Sequence, residues 1–219
     1  MKILALDTCL DACSVAVCED AAPLAVRGEI MARGHQERLA PMAAATMAEA
    51  GLSFDALNLI AVTIGPGSFT GLRVGLAFAK GLALALNIPC VGVGALEALA
   101  ESEDDAGFVV AAVDAKRGQI WLQAFIDGHP VMAPDALAPE TAAARLAELW
   151  PGGPATVVGS AADQLGGMIP QGRISARLAP DPVAVARSAL RLRPPYPPPR
   201  PHYLRAPDAR LPGAPAPVG

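Results

Sequence analysis

Two stretches of this 219-residue chain carry the same pattern, and that repetition constrains the fold more than any other feature. In the first, strand-like "KILALD" (2–7) leads through a turn to "CSVAVC" (13–18), and Asp7 ends the first strand. In the second, "FVVAAVDAKRGQIWLQAFI" (108–126) repeats the strand, the tight turn and the returning strand, with Asp114 just before the turn. Two such openings predict a duplicated α/β unit.

This layout is that of the actin-like, sugar-kinase-like (ASKHA) ATPase fold, in which two hairpins grip nucleotide phosphates and a metal from opposite sides. We therefore predict an α/β protein with two tandem ribonuclease-H-like subdomains. The acidic segment 101–107 marks the boundary, so that residues 1–104 form the first subdomain and 105–193 the smaller second one. Ten of the 22 prolines fall within 194–219, which predicts an extended tail whose "PHYLR" segment packs back on the body.

Three residues stand at the hairpins where such a fold holds phosphates, namely Asp7, Thr8 and Asp114. They are our candidates for cofactor-binding residues of a vestigial nucleotide cleft. The alternative is that their side chains only cap the turns in which they lie. The sequence leaves both interpretations open.

Between the hairpins, the spacing of apolar residues predicts a first helix over residues 36–50. Leu39, Met42 and Met47 fall on one stripe at steps of three and four, which is the period of one helix face. Gly51 then ends the helix.

A second helix is predicted over residues 70–87, after the uncharged strand "LIAVTIG" (59–65). This helix is apolar nearly all round and contains Gly71, Gly75 and Gly81. Each interior glycine costs up to about 1 kcal/mol relative to alanine. We therefore expect another backbone to approach the helix closely at these glycines.

The turn "IGPGSFTGLRVG" (64–75) has the look of a chemical motif but matches none. A phosphate-binding Walker loop needs a lysine that is absent before Lys80, the dinucleotide fingerprint needs glycines one residue closer, and a nucleophile elbow needs its serine one place later. We predict a structural corner in which Ser68 or Thr70 caps the following helix. A weak anion contact at the helix N-terminus stays an alternative.

Composition narrows the classes of function. A formal net charge of -4 and 4% aromatic residues argue against a broad nucleic-acid surface on this chain alone. Its four cysteines form no CxxC pair, which argues against a zinc site. The opening residues do not resemble a signal peptide, and no run approaches the roughly 18 apolar residues of a membrane helix. We therefore expect a cytoplasmic protein with free thiols.

Five blocks give the chain a resemblance to a known family: "ILALDTCLDACSVAV", "HQERLAPM", "IGPGSFTGLRVGLAFAKGLA", "VDAKRGQIW" and "PHYLR" (201–205). Over roughly residues 1–205 it resembles the TsaB family, also called YeaZ, of the bacterial pathway for threonylcarbamoyladenosine in tRNA. The resemblance implies an actin-like two-domain fold without catalysis of its own and without a cofactor. It also implies pairing with the catalytic paralogue TsaD, joined by the ATPase TsaE. Together these attach threonylcarbamoyl to adenosine 37 of tRNAs that read codons beginning with adenine.

The same resemblance bears on catalysis. TsaD carries a metal-binding histidine pair, HxxxH, just after the strand that follows the long helix. The matching stretch "VGVGALEALA" (91–100) has Ala95 and Leu99 at those positions, and neither side chain can coordinate a metal. We predict a non-catalytic scaffold without a metal site. The alternative is an enzyme with an actin-like fold, either an ATP-using kinase-like protein or a glycoprotease-type metallopeptidase.

The family pairs through its first two helices, which form a four-helix bundle with the partner. The resemblance thus implies an interface on helices 36–50 and 70–87, where methionines adapt to a partner and small residues permit close approach. We expect Arg73 to reach a carboxylate or phosphate across this interface. The apolar residues that we expect there are Leu39, Met42, Met47, Leu72, Leu76 and Phe78. The same patch could pair two copies of the chain, and the alternative is that both helices are simply core.

Overall fold

The computed structural model describes residues 1–104, 107–169 and 172–204. Its first sheet contains β1 (Lys2–Asp7), β2 (Ala12–Glu19), β3 (Ala22–Ile30), β4 (Leu59–Thr63) and β5 (Cys90–Val93). The strand order is β3-β2-β1-β4-β5, in which β1, β2 and β3 are antiparallel and β4 and β5 run parallel to β1. The predicted first hairpin is therefore confirmed, and β4 is fully buried within the sheet as its uncharged sequence indicated.

A second sheet repeats this design. It contains β6 (Phe108–Lys116), β7 (Gln119–Ile126), β8 (His129–Pro130), β9 (Asp135–Leu137), β10 (Ala155–Val158) and β11 (Gly172–Ile174). The order is β11-β10-β6-β7-β8, and β9 also pairs with β7. As in the first sheet, an antiparallel hairpin is extended by two parallel strands. The predicted duplication of an α/β unit is confirmed.

The described residues also form six α-helices: α1 (His35–Glu49), α2 (Phe69–Leu86), α3 (Ala95–Glu101), α4 (Pro139–Leu149), α5 (Ala162–Gly166) and α6 (Pro182–Arg191). Helices α1 and α2 pack beside each other on one face of the first sheet, and α6 packs on that sheet's other face. Helix α3 lies between α6 and the second sheet, whose other side is covered by α4 and α5. Helices 36–50 and 70–87 are found within one residue of their predicted bounds.

The sequence analysis left α4 unassigned, although its signals are present. Pro139 stands in the first turn, where its missing N–H is no loss, and Glu140 beside it suits the helix N-terminus. Ala142 and Leu146, four residues apart, are the buried stripe. A stripe of only two residues is a weak periodic signal, which explains why it was missed.

Helix α6 covers one face of the first sheet although it lies near the end of the described chain. Val185, Ala186 and Ala189 are buried against residues of β1, β2, β4 and β5. The division of the chain at 104/105 stays a prediction. Helix α6 belongs to residues 105–193, the predicted second subdomain, but it packs on the first sheet.

Helix α2 corrects one expectation. Its 18 residues are long and apolar enough to cross a membrane by length and composition, whereas the sequence analysis found no such run. The core helix of a soluble protein can pass the same test. Leu72, Leu76, Ala79 and Ala83 form its buried face here.

Candidate functional site

The turn between β4 and α2 is a structural corner. Ser68 is the N-cap of α2, and its Oγ accepts a hydrogen bond from the N–H of Gly71 at 3.3 Å. The N–H of Ser68 donates to the carbonyl oxygen of Cys9 in the β1–β2 turn at 2.7 Å. The predicted cap is confirmed for Ser68, and the turn is bonded to the first hairpin.

The glycines of this turn and helix allow the close contact. A Cβ on Gly67 would lie 2.2 Å from the carbonyl oxygen of Cys9, and one on Gly71 would lie 2.1 Å from that of Thr8. A Cβ on Gly75 would lie 2.4 Å from Oγ1 of Thr8. The predicted close approach of another backbone is confirmed at Gly71, whereas at Gly75 the close contact is with the side chain of Thr8. The prediction is wrong at Gly81, which has nothing within 4 Å of an added Cβ.

Asp7 and Thr8 point into the fold. The Oδ1 atom of Asp7 accepts hydrogen bonds from Oγ1 of Thr63 at 2.6 Å and from the N–H of Cys9 at 3.1 Å. Thr8 Oγ1 donates to the carbonyl oxygen of Gly71 at 2.8 Å. Asp7 is 0% exposed and Thr8 is 1% exposed. Both residues therefore join the hairpin to β4 and α2 in this structure.

Burial leaves Asp7 in an unusual state. Desolvation raises the pKa of its carboxyl from 3.8 to about 6, against the lowering effect of its hydrogen bonds with Thr63 and Cys9. Its Oδ2 atom has no hydrogen-bond partner among the described residues. Directly across the β1–β2 pair stands Ser14, whose buried Oγ likewise has no partner there. A neutral, proton-bearing Asp7 would suit this environment better than a carboxylate.

Asp114 has a different environment at the second hairpin. Its Oδ2 accepts from Lys116 Nζ at 2.9 Å and its Oδ1 from the Lys116 N–H at 2.7 Å, and these bonds lower its pKa. Lys116, Arg117 and Gly118 all have positive φ angles, which gives the tight turn that the sequence predicted.

A cleft of about 440 Å³ opens between the two hairpins. Its walls are Cys9, Leu10, Asp11, Pro66, Gly67, Ser68, Phe69, Val113, Asp114, Ala115, Lys116, Trp121, Ser160, Leu178, His202, Tyr203 and Leu204. Of the three predicted cleft residues only Asp114 lines it, because Asp7 and Thr8 are turned into the core. The aromatic residues of the cleft and its wall from the end of the described chain were not found by sequence reasoning.

The cleft does not fit the phosphates that the fold class implies. Lys116 is the one lysine or arginine among its described lining residues, and it is paired with Asp114. The N–H groups of Ser68, Asp114 and Lys116 donate within the chain, so they are not free to cradle an anion. Most other lining side chains are apolar. These residues suit an apolar group better than a polyphosphate.

Five of the predicted interface residues are buried in this chain's own core. Leu39, Leu72, Met47, Leu76 and Met42 are between 1% and 7% exposed and belong to the cluster beneath α1 and α2. The prediction that they face a partner is wrong, because the stripe that they form faces the sheet. Phe78 is partly buried against the same core, while Arg73 is exposed.

The opposite sides of the two helices form what we call the outer helix face, composed of Ala40, Pro41, Ala44 and Ala48 from α1 and Arg73, Ala77, Gly81 and Leu84 from α2. All eight are exposed, and Leu84 is 84% exposed. Seven of the eight are uncharged and apolar or small, and the exposed charged residues Glu37 of α1 and Lys80 of α2 lie beside them. This face, rather than the predicted stripe, is the exposed side of the first two helices.

Residues near the end of the described chain pack back on the body, as predicted for "PHYLR"; Arg205 lies outside the described residues. The N–H of His202 donates to the carbonyl oxygen of Ile64 at 2.7 Å. The ring of Tyr203 lies 5.5 Å from that of Phe69. This segment therefore joins α2 to the cleft.

The two similar sheets, each opened by a hairpin with a cleft between the hairpins, define an actin-like, sugar-kinase-like protein. A solved structure of the activator of 2-hydroxyisocaproyl-CoA dehydratase from Clostridium difficile with bound ADPNP shares this fold. It has a TM-score of 0.54 and 8% identity over 87% of this chain and 93% of that one.

The chain belongs to the TsaD family, tRNA N6-adenosine threonylcarbamoyltransferase, whose sequence model matches residues 25–172. Within it the resemblance to TsaB, or YeaZ, is confirmed. The chain is 40% identical to the Escherichia coli "tRNA threonylcarbamoyladenosine biosynthesis protein TsaB" over 124 residues, 55% of this chain and 53% of that protein. It matches the structure of YeaZ from Pseudomonas aeruginosa with a TM-score of 0.74 and 31% identity, covering 86% of this chain and 90% of that one. The chain spans about half the length of the curated relatives that it matches first.

Proposed function

We propose that this protein is the non-catalytic partner of a TsaD-like catalytic subunit in the transfer of threonylcarbamoyl to adenosine 37 of tRNA. A TsaE-like ATPase joins the pair, and tRNA is held through the complex rather than by this chain alone. The protein acts in the cytoplasm and carries no cofactor of its own. In the absence of its partner, the same surface pairs two copies of the chain.

The outer helix face is the observation that carries this proposal. Leu84 is 84% exposed and is continuous with the exposed alanines and Pro41 of the outer helix face, and a contiguous apolar surface is typical of a protein interface. Gly81 has open space where a Cβ would stand, so a helix from a partner can approach the α2 backbone there. Arg73 at one end of the face supplies a charge for a partner carboxylate.

Two further features favour a supporting role over catalysis. Ala95 and Leu99, at the positions of the metal-binding histidines of TsaD, are 0% exposed and pack in the core through α3. The cleft between the hairpins is lined largely by apolar side chains, and Lys116, the lysine among its described lining residues, is already paired with Asp114.

Replacing Leu84 with arginine is expected to weaken binding of the TsaD-like subunit at least about 30-fold, because a charge is buried where an apolar contact was made. The fold is expected to be unchanged, since Leu84 is exposed. The measurement is isothermal titration with the TsaD-like subunit of the same organism. Met168→Arg is the matched control, because Met168 is also an exposed apolar residue, at 52%, but follows α5 on the second sheet, whereas the outer helix face covers the first sheet. Equal binding by Leu84→Arg and the wild type would contradict the proposed interface.

A separate measurement tests the alternative that this protein is an enzyme. Calorimetry with magnesium-ATP on the isolated protein should give no tight binding and no turnover. Hydrolysis of ATP, or cleavage of a peptide substrate by the isolated chain, would contradict the non-catalytic role.

A further inference from the structure

The segment that we call the C-terminal strap, residues 199–204, is held firmly up to His202. Pro199 is buried and packs on Gly92 of β5, where an added Cβ would lie 3.2 Å from the proline Cβ. His202 is fixed by its main-chain hydrogen bond of 2.7 Å to Ile64. Beyond this point Tyr203 is 41% exposed and Leu204 is half-buried in the wall of the cleft, so side-chain contacts hold the end of the strap.

Those contacts form a cluster that we call the aromatic latch, made of Phe69, Arg73 and Tyr203. The Nε of Arg73 donates to the hydroxyl of Tyr203 at 3.3 Å. The guanidinium carbon of Arg73 lies 3.7 Å from the centre of the Phe69 ring, and the two aromatic rings are 5.5 Å apart. All three side chains are exposed, so each contact is weak and can be exchanged for another.

The aromatic latch lies where two surfaces meet. Phe69 and Tyr203 are walls of the cleft between the hairpins, together with Leu204. Arg73 stands at the N-terminal end of the outer helix face. Movement of the Arg73 side chain would therefore change the contacts of Phe69 and Tyr203, which form a wall of the cleft.

We propose that the aromatic latch couples the outer helix face to the cleft. A carboxylate of the partner pairs with Arg73 and withdraws its guanidinium from Phe69 and Tyr203, because a charged, two-point pair is stronger than a long hydrogen bond to a phenol. Tyr203 and Leu204 then move away from the wall that they form, and the aromatic-lined cleft is wider in the assembled protein than in the isolated chain. The role of the partner rests on the proposed function, but the narrowing of the cleft by the latch does not.

Trp121 reports on the cleft because its indole lines it. The chain has only two tryptophans, so Trp150→Phe in the full-length protein leaves Trp121 as the single emitter. In this background, Arg73→Ala and Tyr203→Ala are expected to raise the acrylamide quenching constant about two-fold, as the strap leaves the cleft. Tyr203→Phe keeps the ring contact but loses the hydroxyl. Its quenching constant is expected to lie between those of the background protein and Tyr203→Ala. Lys80→Ala, on the same helix and also exposed, is the matched control and should quench like the background protein.

The second arm adds the TsaD-like subunit to the same proteins. The partner should raise quenching of Trp121 in the background protein to the Arg73→Ala level and leave the Arg73→Ala variant unchanged. Circular dichroism and thermal unfolding of each variant check that quenching does not come from unfolding. Equal quenching in Arg73→Ala, Tyr203→Ala, Lys80→Ala and the background protein would overturn the latch, whatever the partner does. Failure of the subunit to bind at all would instead count against the proposed function, with the partner-free result still deciding the latch.

Discussion

Gly71→Ala is expected to destabilise the protein by about 3 kcal/mol, whereas Gly81→Ala on the same helix is expected to stabilise it by about 0.5–1 kcal/mol. The added methyl at position 71 would lie 2.1 Å from the carbonyl oxygen of Thr8, so α2 must move off the first hairpin. At position 81 an added Cβ meets nothing within 4 Å, and the gain in helix propensity remains. Urea unfolding of both variants measures the difference.

Gly75→Ala allows a further test of this explanation, because the added methyl would clash with a side chain that can itself be replaced. An added Cβ would lie 2.4 Å from Oγ1 of Thr8, and Thr8→Ala removes that atom. Thr8→Ala should therefore relieve much of the loss in Gly75→Ala but little in Gly71→Ala, whose clash is with backbone. A double-mutant cycle with equal coupling at the two glycines would contradict this explanation.

Asp7→Asn is expected to stabilise the protein by about 2–3 kcal/mol at pH 8 and to change its stability little at pH 4. Burial raises the pKa of the Asp7 carboxyl from 3.8 to about 6, so the folded protein binds a proton more tightly than the unfolded chain does. Its contribution to stability therefore falls as pH rises from about 4 to about 6 and stays low above that. Asparagine keeps an oxygen acceptor for Thr63 and Cys9 and stays neutral at every pH.

Unfolding in urea between pH 4 and pH 8 tests this sign. The stability difference between Asp7→Asn and the wild type should grow across the window and then level off. Asp114→Asn is the control with the opposite sign, because the hydrogen bonds from Lys116 lower the pKa of Asp114 and its contribution is lost as pH falls. A difference for Asp7→Asn that does not change with pH would show that the carboxylate is not penalised by burial.

Much of the fold could be predicted from local pattern. The hairpins could be predicted because two strand-like segments, the tight turn between them and an aspartate lie within twenty residues of one another in each half. The corner after β4 could be interpreted from its glycines, since a glycine in a helix has a cost that only a close contact explains. The cap by Ser68 follows from the same logic of unsatisfied helix N–H groups.

The orientation of α2 could have been predicted but was not. Gly71 and Gly75 indicate the side of the helix that meets the hairpin, and Leu72 and Leu76 lie on that side with them. The side that remains carries Ala77, Gly81 and Leu84. We chose the large apolar residues as the interface because size suggests contact energy, yet large residues are what a core needs first.

The cleft could not be predicted in the same way. Its lining comes from six separate parts of the chain, and Trp121 and Tyr203 meet there only because two sheets and the strap are assembled. No short pattern carries that information. The inward orientation of Asp7 is also a tertiary effect, since a turn aspartate next to Cys9 reads locally as a residue that faces solvent.

The position of α6 has a consequence for synthesis on the ribosome. The α6-facing side of the first sheet, including Ile3, Ala5, Leu59 and Val91, stays uncovered until Val185 to Ala189 have been translated. The nascent N-terminal half thus cannot reach its final state while it emerges, and this apolar surface stays exposed to water until α6 has been made. The halves that look like successive copies in the sequence are expected to fold as one late, concerted event.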